Sequence, residues 1–165
     1  MTSTGERTHD IVLFGATGFV GRLTAGHLAR NAPDGARIAL AGRSLERLEK
    51  VRSGLDSKAA DWPLLVVDAS DEAQVAELAA ATRVVATTVG PYAKYGMPLV
   101  AACAAAGTHY CDLTGEVLFV RDAIDAYQDE AAESGARIVN SCGFDSIPSD
   151  LGVWVTAQQV AADGE

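Results

Sequence analysis

The sequence predicts an α/β fold, a Rossmann-type doubly wound parallel sheet with strand order 3-2-1-4-5-6. Short, nearly continuous apolar runs alternate along the chain with longer amphipathic segments, as in strands covered on both faces and linked by crossover helices. Six such runs occur, enough for the two halves of a dinucleotide-binding sheet. The first run leads directly into a glycine-rich turn, "GATGFVG" over 15–21, ahead of a helical segment.

Taken in order, the polar residues 1–9 read as a disordered tail, and 10–165 as one dinucleotide-binding domain. Strands are expected over 10–15, 37–42, 63–68, 83–90, 109–115 and 136–143, with helices over 19–31, 44–54, 71–81, 96–106 and 117–134. In the fifth helix Val120, Ile124, Tyr127 and Ala131 share one face, and Asp122, Asp125, Asp129 and Glu133 can face water. Ser70 is placed to cap the third helix, whose start Asp71 and Glu72 favour electrostatically. Gly107 and Gly135 stand where helices end. The chain reaches Glu165 within a further helical pattern.

Composition narrows the function. The 165 residues carry a net charge of −9, which argues against nucleic acid as a partner because phosphate binding needs a basic footprint. No apolar run is long enough to span a membrane, and the first ten residues hold no apolar core of a secretory signal. Cys103, Cys111 and Cys142 lack metal-ligand or disulfide spacing, and read as small buried residues of a reducing, cytoplasmic compartment. No metal site is predicted.

The glycine loop carries the chemistry. A strand, a tight turn and a helix start together form an anion site, because free backbone N–H groups and the helix dipole face the ligand. Gly15, Ala16, Thr17, Gly18, Phe19, Val20 and Gly21 make up that loop. Gly18 would let a diphosphate approach the backbone, and Gly21 would let the helix pack on the first strand. Ala16 stands where the commoner motif has its first glycine, and Gly15 supplies the turn instead, a GxxGxxG variant. At the end of the second strand, an NAD site carries an acid for the ribose 2′-hydroxyl. Here Gly42, Arg43 and Ser44 follow. Arg43 can pair with a 2′-phosphate, so NADP is the expected cofactor. The other reading of Arg43 is a solvated loop charge.

Two further strand ends fit the same ligand. Asp68, followed by Ala69, is either an acceptor for the adenine amino group or an N-cap or turn acid. Val89, Gly90, Pro91 and Tyr92 follow the fourth strand, where the nicotinamide half should lie. No tyrosine has a lysine four residues later, so short-chain dehydrogenase chemistry is absent and no catalytic residue is assigned. Asp112, Thr114 and Glu116 after the fifth strand, and Asn140, Ser141, Asp145, Ser146 and Asp150 after the sixth, either touch substrate or hold loops.

The stretches "VLFGATGFVGRL", "ALAGRS", "VGPYAKYGMPLV", "YCDLTGE" and "GFDSIPSDLG" resemble the saccharopine dehydrogenase-like oxidoreductases, in particular their actinobacterial trans-acting enoyl reductase branch. The resemblance covers the chain after its polar tail. It implies a pyridine-nucleotide oxidoreductase with cofactor roles for Gly15, Gly18, Gly21, Arg43 and the Gly90–Tyr92 turn. It also implies NADPH-dependent reduction of an enoyl intermediate in cell-envelope lipid synthesis, in the cytoplasm or at the membrane surface. A second, substrate-facing domain is expected in the family and is absent from these 165 residues, so this piece should bind cofactor with little or no turnover. Two alternatives stay open: a non-catalytic NADP-binding redox sensor, and an NAD(P)-dependent amino-acid dehydrogenase.

Overall fold

The computed structural model describes residues 7–164. Six parallel strands form one sheet in the order β3-β2-β1-β4-β5-β6: β1 (His9–Phe14), β2 (Ile38–Gly42), β3 (Leu64–Val66), β4 (Thr82–Thr87), β5 (His109–Cys111) and β6 (Ile138–Val139). They alternate with α1 (Phe19–Asn31), α2 (Leu45–Ser53), α3 (Glu72–Ala81), α4 (Tyr92–Ala106) and α5 (Val117–Ser134), and α6 (Ile147–Asp163) follows β6. In register, Val12 lies between Ala39 of β2 and Val85 of β4. The predicted strand order is therefore the observed one.

Alternation along β1 and β2 splits the core in two. Val12, Phe14, Ala39 and Ala41 face α3, α4 and α5 with Tyr110, Phe119 and Val100. Leu13, Ile38 and Leu40 face the other way, against Ala25 and Ala29 of α1 and Leu48 and Val51 of α2. Over β4 to β6 this second face is barely covered. Ala86 and Cys111 are half-buried and Val139 is 50% exposed. Every residue of α6 is exposed, Trp154 among them at 60%.

Caps set the helix limits. Ser44 Oγ accepts from Arg47 N–H at 3.4 Å and starts α2. The start of α3 corrects the expected one: Asp71, not Ser70, is the cap, its Oδ1 accepting from the N–H groups of Ala73 and Gln74, both at 3.1 Å. The Gln74 side chain donates back to Asp71 Oδ2 at 2.7 Å, a variant of the reciprocal capping arrangement. Gly107 ends α4 at φ +68°, where a Cβ would lie 2.8 Å from Ser134 O. Both the left-handed backbone and the close approach exclude a side chain there.

Strands β3 to β6 are all shorter than their apolar runs. β4 ends at Thr87, whose Oγ1 accepts from Val89 N–H at 3.2 Å. β5 and β6 end at Cys111 and Val139 because the Asp112 carboxylate takes over the next backbone donors. Its Oδ1 accepts from Thr114 N–H at 3.1 Å and Ser141 N–H at 2.8 Å. In α4 the helix begins four residues earlier than the pattern suggests and contains Pro98.

The tail expected over 1–9 needs a new boundary. Residues 1–6 lie outside the described residues, but His9 opens β1 and is buried. The Arg7 guanidinium donates to the carbonyls of Ala79 and Ala80 at the end of α3, both at 2.8 Å, and to Thr108 Oγ1 at 2.9 Å. It also donates to Ala106 O at the end of α4. One cation thus bonds last-turn carbonyls of two helices and lies at the negative ends of both dipoles. Arg7→Ala should lower the free energy of unfolding by about 1–3 kcal/mol, measured by urea denaturation at neutral pH, with Arg7→Lys recovering only part. An unchanged midpoint would show that the clamp adds nothing.

Candidate functional site

The strand order reverses between β1 and β4, and the loops leaving the carboxyl ends of β1 to β4 meet above that point. The β1–α1 turn is its centre. Gly15 has φ +89°, and a Cβ on it would lie 2.7 Å from Thr88 Oγ1, so the turn requires glycine. The N–H groups of Gly15 and Ala16 both donate to Ala41 O, at 2.9 and 3.2 Å, and Gly18 N–H donates to Gly15 O at 3.0 Å. From the β4 side, Thr88 Oγ1 donates to Gly15 O at 3.1 Å. Helix α1 then starts behind Gly18 with no side-chain cap and no acid in its first turn. At Gly21 a Cβ would run into Gly15 O and lie 2.9 Å from Ala16 Cα, so glycine here sets the distance between helix and turn.

These loops enclose one cavity. Gly15, Thr17 and Gly18 line it from the first loop, Gly42 and Arg43 from the second, Asp68 and Ala69 from the third, and Val89 and Gly90 from the fourth. Phe14, Thr88 and Tyr95 line it as well. Sequence reasoning passed over these three. Phe14 reads as a core strand residue, Thr88 as strand, and Tyr95 as one aromatic among several. A sharper signal was available for Tyr95, which lies one helical turn beyond Pro91.

The remaining predicted residues stand behind or beside the cavity. Ala16 is fully buried beneath the turn, Gly21 holds α1 against it, and Ser44 caps α2. Phe19 and Val20 carry exposed side chains and present only first-turn backbone to the loop mouth. Pro91 is exposed after a cis Gly90–Pro91 peptide.

Tyr92 does not border the cavity, contrary to expectation. It is 5% exposed, and its hydroxyl donates to Thr87 O at 3.1 Å. Its ring packs against Phe119 with centroids 5.8 Å apart. Because α4 begins at Tyr92, the helix turns this ring into the core and leaves Tyr95 at the cavity. Burial lifts the Tyr92 phenol to about 12, and its hydroxyl is turned into the core rather than toward the cavity.

Arg43 is exposed at the rim and makes no hydrogen bond or ion pair among the described residues, although its charge reaches Asp68. Asp68 Oδ1 accepts from the N–H and the hydroxyl of Ser70, at 2.9 and 2.7 Å. Those two bonds, with a smaller contribution from Arg43, hold its carboxyl below the ordinary range. The turn-acid role is thus formed, and the same side chain also lines the cavity.

Beyond the cavity, the polar residues after β5 and β6 converge on Asp112, which is 3% exposed. Besides the two backbone donors, its Oδ2 accepts from Tyr110 hydroxyl at 2.8 Å and Asn140 Nδ2 at 2.7 Å. Ser141, at φ +61°, is held by its N–H on Asp112 and its hydroxyl on Thr114 O at 2.8 Å. Asp112, Thr114, Asn140 and Ser141 therefore hold loops. The cysteines divide. Cys103 is buried and its thiol is lifted to about 12 by that burial, whereas Cys142 is exposed, against expectation.

Comparison with known proteins finds relatives of this chain. Residues 11–139 match the family described as the saccharopine dehydrogenase NADP binding domain. The trans-acting enoyl reductase of Mycobacterium tuberculosis is 59% identical over 162 residues, which are 98% of this chain and 38% of that protein. The enzyme of the same description from Mycobacterium ulcerans is 57% identical over the same shares. The chain thus spans well under half the length of these relatives. Among solved structures, apo saccharopine dehydrogenase (L-Glu forming) from Saccharomyces cerevisiae superposes with a TM-score of 0.76 at 19% identity, over 94% of this chain and 32% of that one, a likeness of fold.

The close approach at Gly21 makes a direct test. Gly21→Ala should force α1 away from the turn and lower stability by about 1–3 kcal/mol. Dinucleotide binding should fall with it, read by calorimetry beside thermal melting. A variant that melts and binds like the parent would show that the loop tolerates a wider gap.

Proposed function

The chain belongs to the saccharopine dehydrogenase NADP-binding-domain family, and from that premise we propose that it is the cofactor-binding part of an NADPH-dependent reductase. Its relatives' descriptions point to an enoyl acceptor, and we extend this to an enoyl intermediate of cell-envelope lipid synthesis in the cytoplasm. The observation that carries the reading is one cavity containing both an uncapped helix N-terminus and, in place of the NAD-type acid, an arginine with no partner among the described residues.

The residues present fit NADP. The first-turn N–H groups of α1, from Phe19 to Gly21, would receive the diphosphate, and Gly18 would leave room for its approach. Arg43, beside Gly42 and Ser44, would pair with the 2′-phosphate, where an acidic side chain would repel it. Asp68 and Ala69 would border the adenine, and Val89, Gly90 and Tyr95 the nicotinamide end. When bound, the reduced cofactor supplies a hydride. This chain's part is to seat and orient it, and no proton donor is assigned here: Tyr92 is committed to Thr87 O.

The substrate side belongs to the rest of the parent protein. A parallel sheet is normally covered on both faces, yet over β4 to β6 one face carries half-buried Ala86 and Cys111 and exposed Val139. α6 is exposed along its length. We assign both surfaces to a second domain, in keeping with relatives of which this chain spans 38%. No helix among the described residues is long and apolar enough to cross a membrane.

The cofactor preference is testable. NADPH should bind more tightly than NADH by about ten- to a hundredfold, the equivalent of one charge-assisted pair of roughly 1.5–3 kcal/mol. Calorimetric titration with both cofactors should show this preference in the parent and its loss in Arg43→Ala. Equal affinities in the parent would reject the role given to Arg43.

A further inference from the structure

Four helices start at the carboxyl edge of the sheet directly after β1 to β4, and each presents unpaired first-turn N–H groups. In α2 and α3 these groups meet their own cap side chains, Ser44 and Asp71. α4 has no such cap, because its N-cap is Pro91. Its acceptor comes from elsewhere. Glu116, twenty-odd residues later in the chain, places Oε1 2.7 Å from Tyr92 N and Oε2 2.8 Å from Ala93 N. Both carboxylate oxygens are thus engaged by the first turn of α4.

Glu116 is itself held in place. Its N–H donates to Thr114 Oγ1 at 3.0 Å and its carbonyl accepts from Val120 N–H at 3.1 Å. Thr114 is buried, and its N–H donates to Asp112 Oδ1 at 3.1 Å. The carboxylate therefore connects the Asp112 cluster to the turn that carries Gly90 and to the helix that carries Tyr95, both of which line the cavity.

We propose that Glu116 is a positioning residue for the cofactor in two ways, an inference that rests on the NADP reading above. It fixes the Gly90–Pro91 turn and the Tyr95 wall, and it fills the anion site of α4. Of these four helices, α1 alone is then left without a side-chain acceptor. The diphosphate is directed to α1 because its rival seat already holds a carboxylate.

The test compares Glu116→Ala and Glu116→Gln with the parent, using NADP and inorganic pyrophosphate as separate calorimetric probes and thermal melting as a control. Losing a cap is worth about 1 kcal/mol, so Glu116→Ala should weaken NADP by about fivefold or more. It should also gain a second pyrophosphate site where the parent has one. Glu116→Gln, which keeps one acceptor oxygen, should recover most of the NADP affinity and show no second site. A purely structural role would lower the melting temperature without adding an anion site. Cooperatively folded Glu116→Ala with parental NADP affinity and one pyrophosphate site would overturn the proposal. If Glu116→Ala does not fold, Glu116→Asp decides, because its shorter carboxylate cannot span both N–H groups. A loss of NADP affinity no greater than its loss of stability explains would overturn the proposal, and a larger loss would support it. A parent that binds pyrophosphate but not NADP would count against the NADP reading alone, since the pyrophosphate stoichiometry still reports on Glu116.

Discussion

A parallel strand followed by a helix leaves three or four backbone N–H groups pointing out of the sheet's carboxyl edge, and each must find an acceptor or a ligand. The loops of this protein are organised around that requirement. Ser44 answers it for α2 and Asp71 for α3, each from its own sequence, and Glu116 answers it for α4 from a distant loop. At α1 the chain places glycine where a capping side chain would stand. A capped first turn would be more stable in isolation, but it would have no room for a bound anion. Of the four helices that follow β1 to β4, the starts of α2, α3 and α4 are closed and that of α1 is open at the cavity.

The second half of the sheet answers a different demand. β5 and β6 pair over only a few residues, too little ladder to fix the loops beyond them. Asp112 supplies the missing order by accepting from four donors, two backbone and two side-chain. A buried carboxylate is costly unless its lone pairs are satisfied, and here they are. Ser141 adopts a left-handed backbone that costs a non-glycine residue roughly 1–2 kcal/mol, a cost its two hydrogen bonds to this cluster can offset. Through Thr114 the same cluster sets Glu116, and so supports the closed start of α4.

Strand order, the glycine turn and the arginine after β2 were legible in the sequence because each depends on local pattern: apolar runs, a strand-to-helix glycine spacing, and a single residue at a strand end. Misreadings arose where tertiary contacts override local preference. The helix expected over 96–106 starts instead at Tyr92. In the fold, Gly96 lets Phe119 approach to where a Cβ would sit 2.6 Å from its ring, and Pro98 lies inside the helix. Once α4 starts at Tyr92, that ring turns into the core and Tyr95 takes its place at the cavity. Arg7 was lost to the tail because its partners lie more than seventy residues away. Glu116 was visible as a polar residue at the right end of the sheet, but nothing local could tell a cap for a distant helix from a substrate contact.

Burial is uneven across the sheet, and the unevenness follows the proposed division of labour. β2 is buried throughout, and its two faces are covered by helices of this chain. That half carries the groups proposed for the diphosphate, the 2′-phosphate and the adenine, which need rigid backbone donors and a fixed cation. Over β4 to β6 one face ends in half-exposed Val139, and Phe144 beyond it is 89% exposed. At about 25 cal/mol per Å², covering such side chains is a strong drive for association, and it acts beside the end of the cavity assigned to the nicotinamide. On the proposed reading, cofactor seating would be completed within this chain, and the surroundings of the hydride only when the open face is covered. A second domain docking there would couple its own folding to closure of the reacting end, while leaving the Arg43 end of the cavity as it already stands.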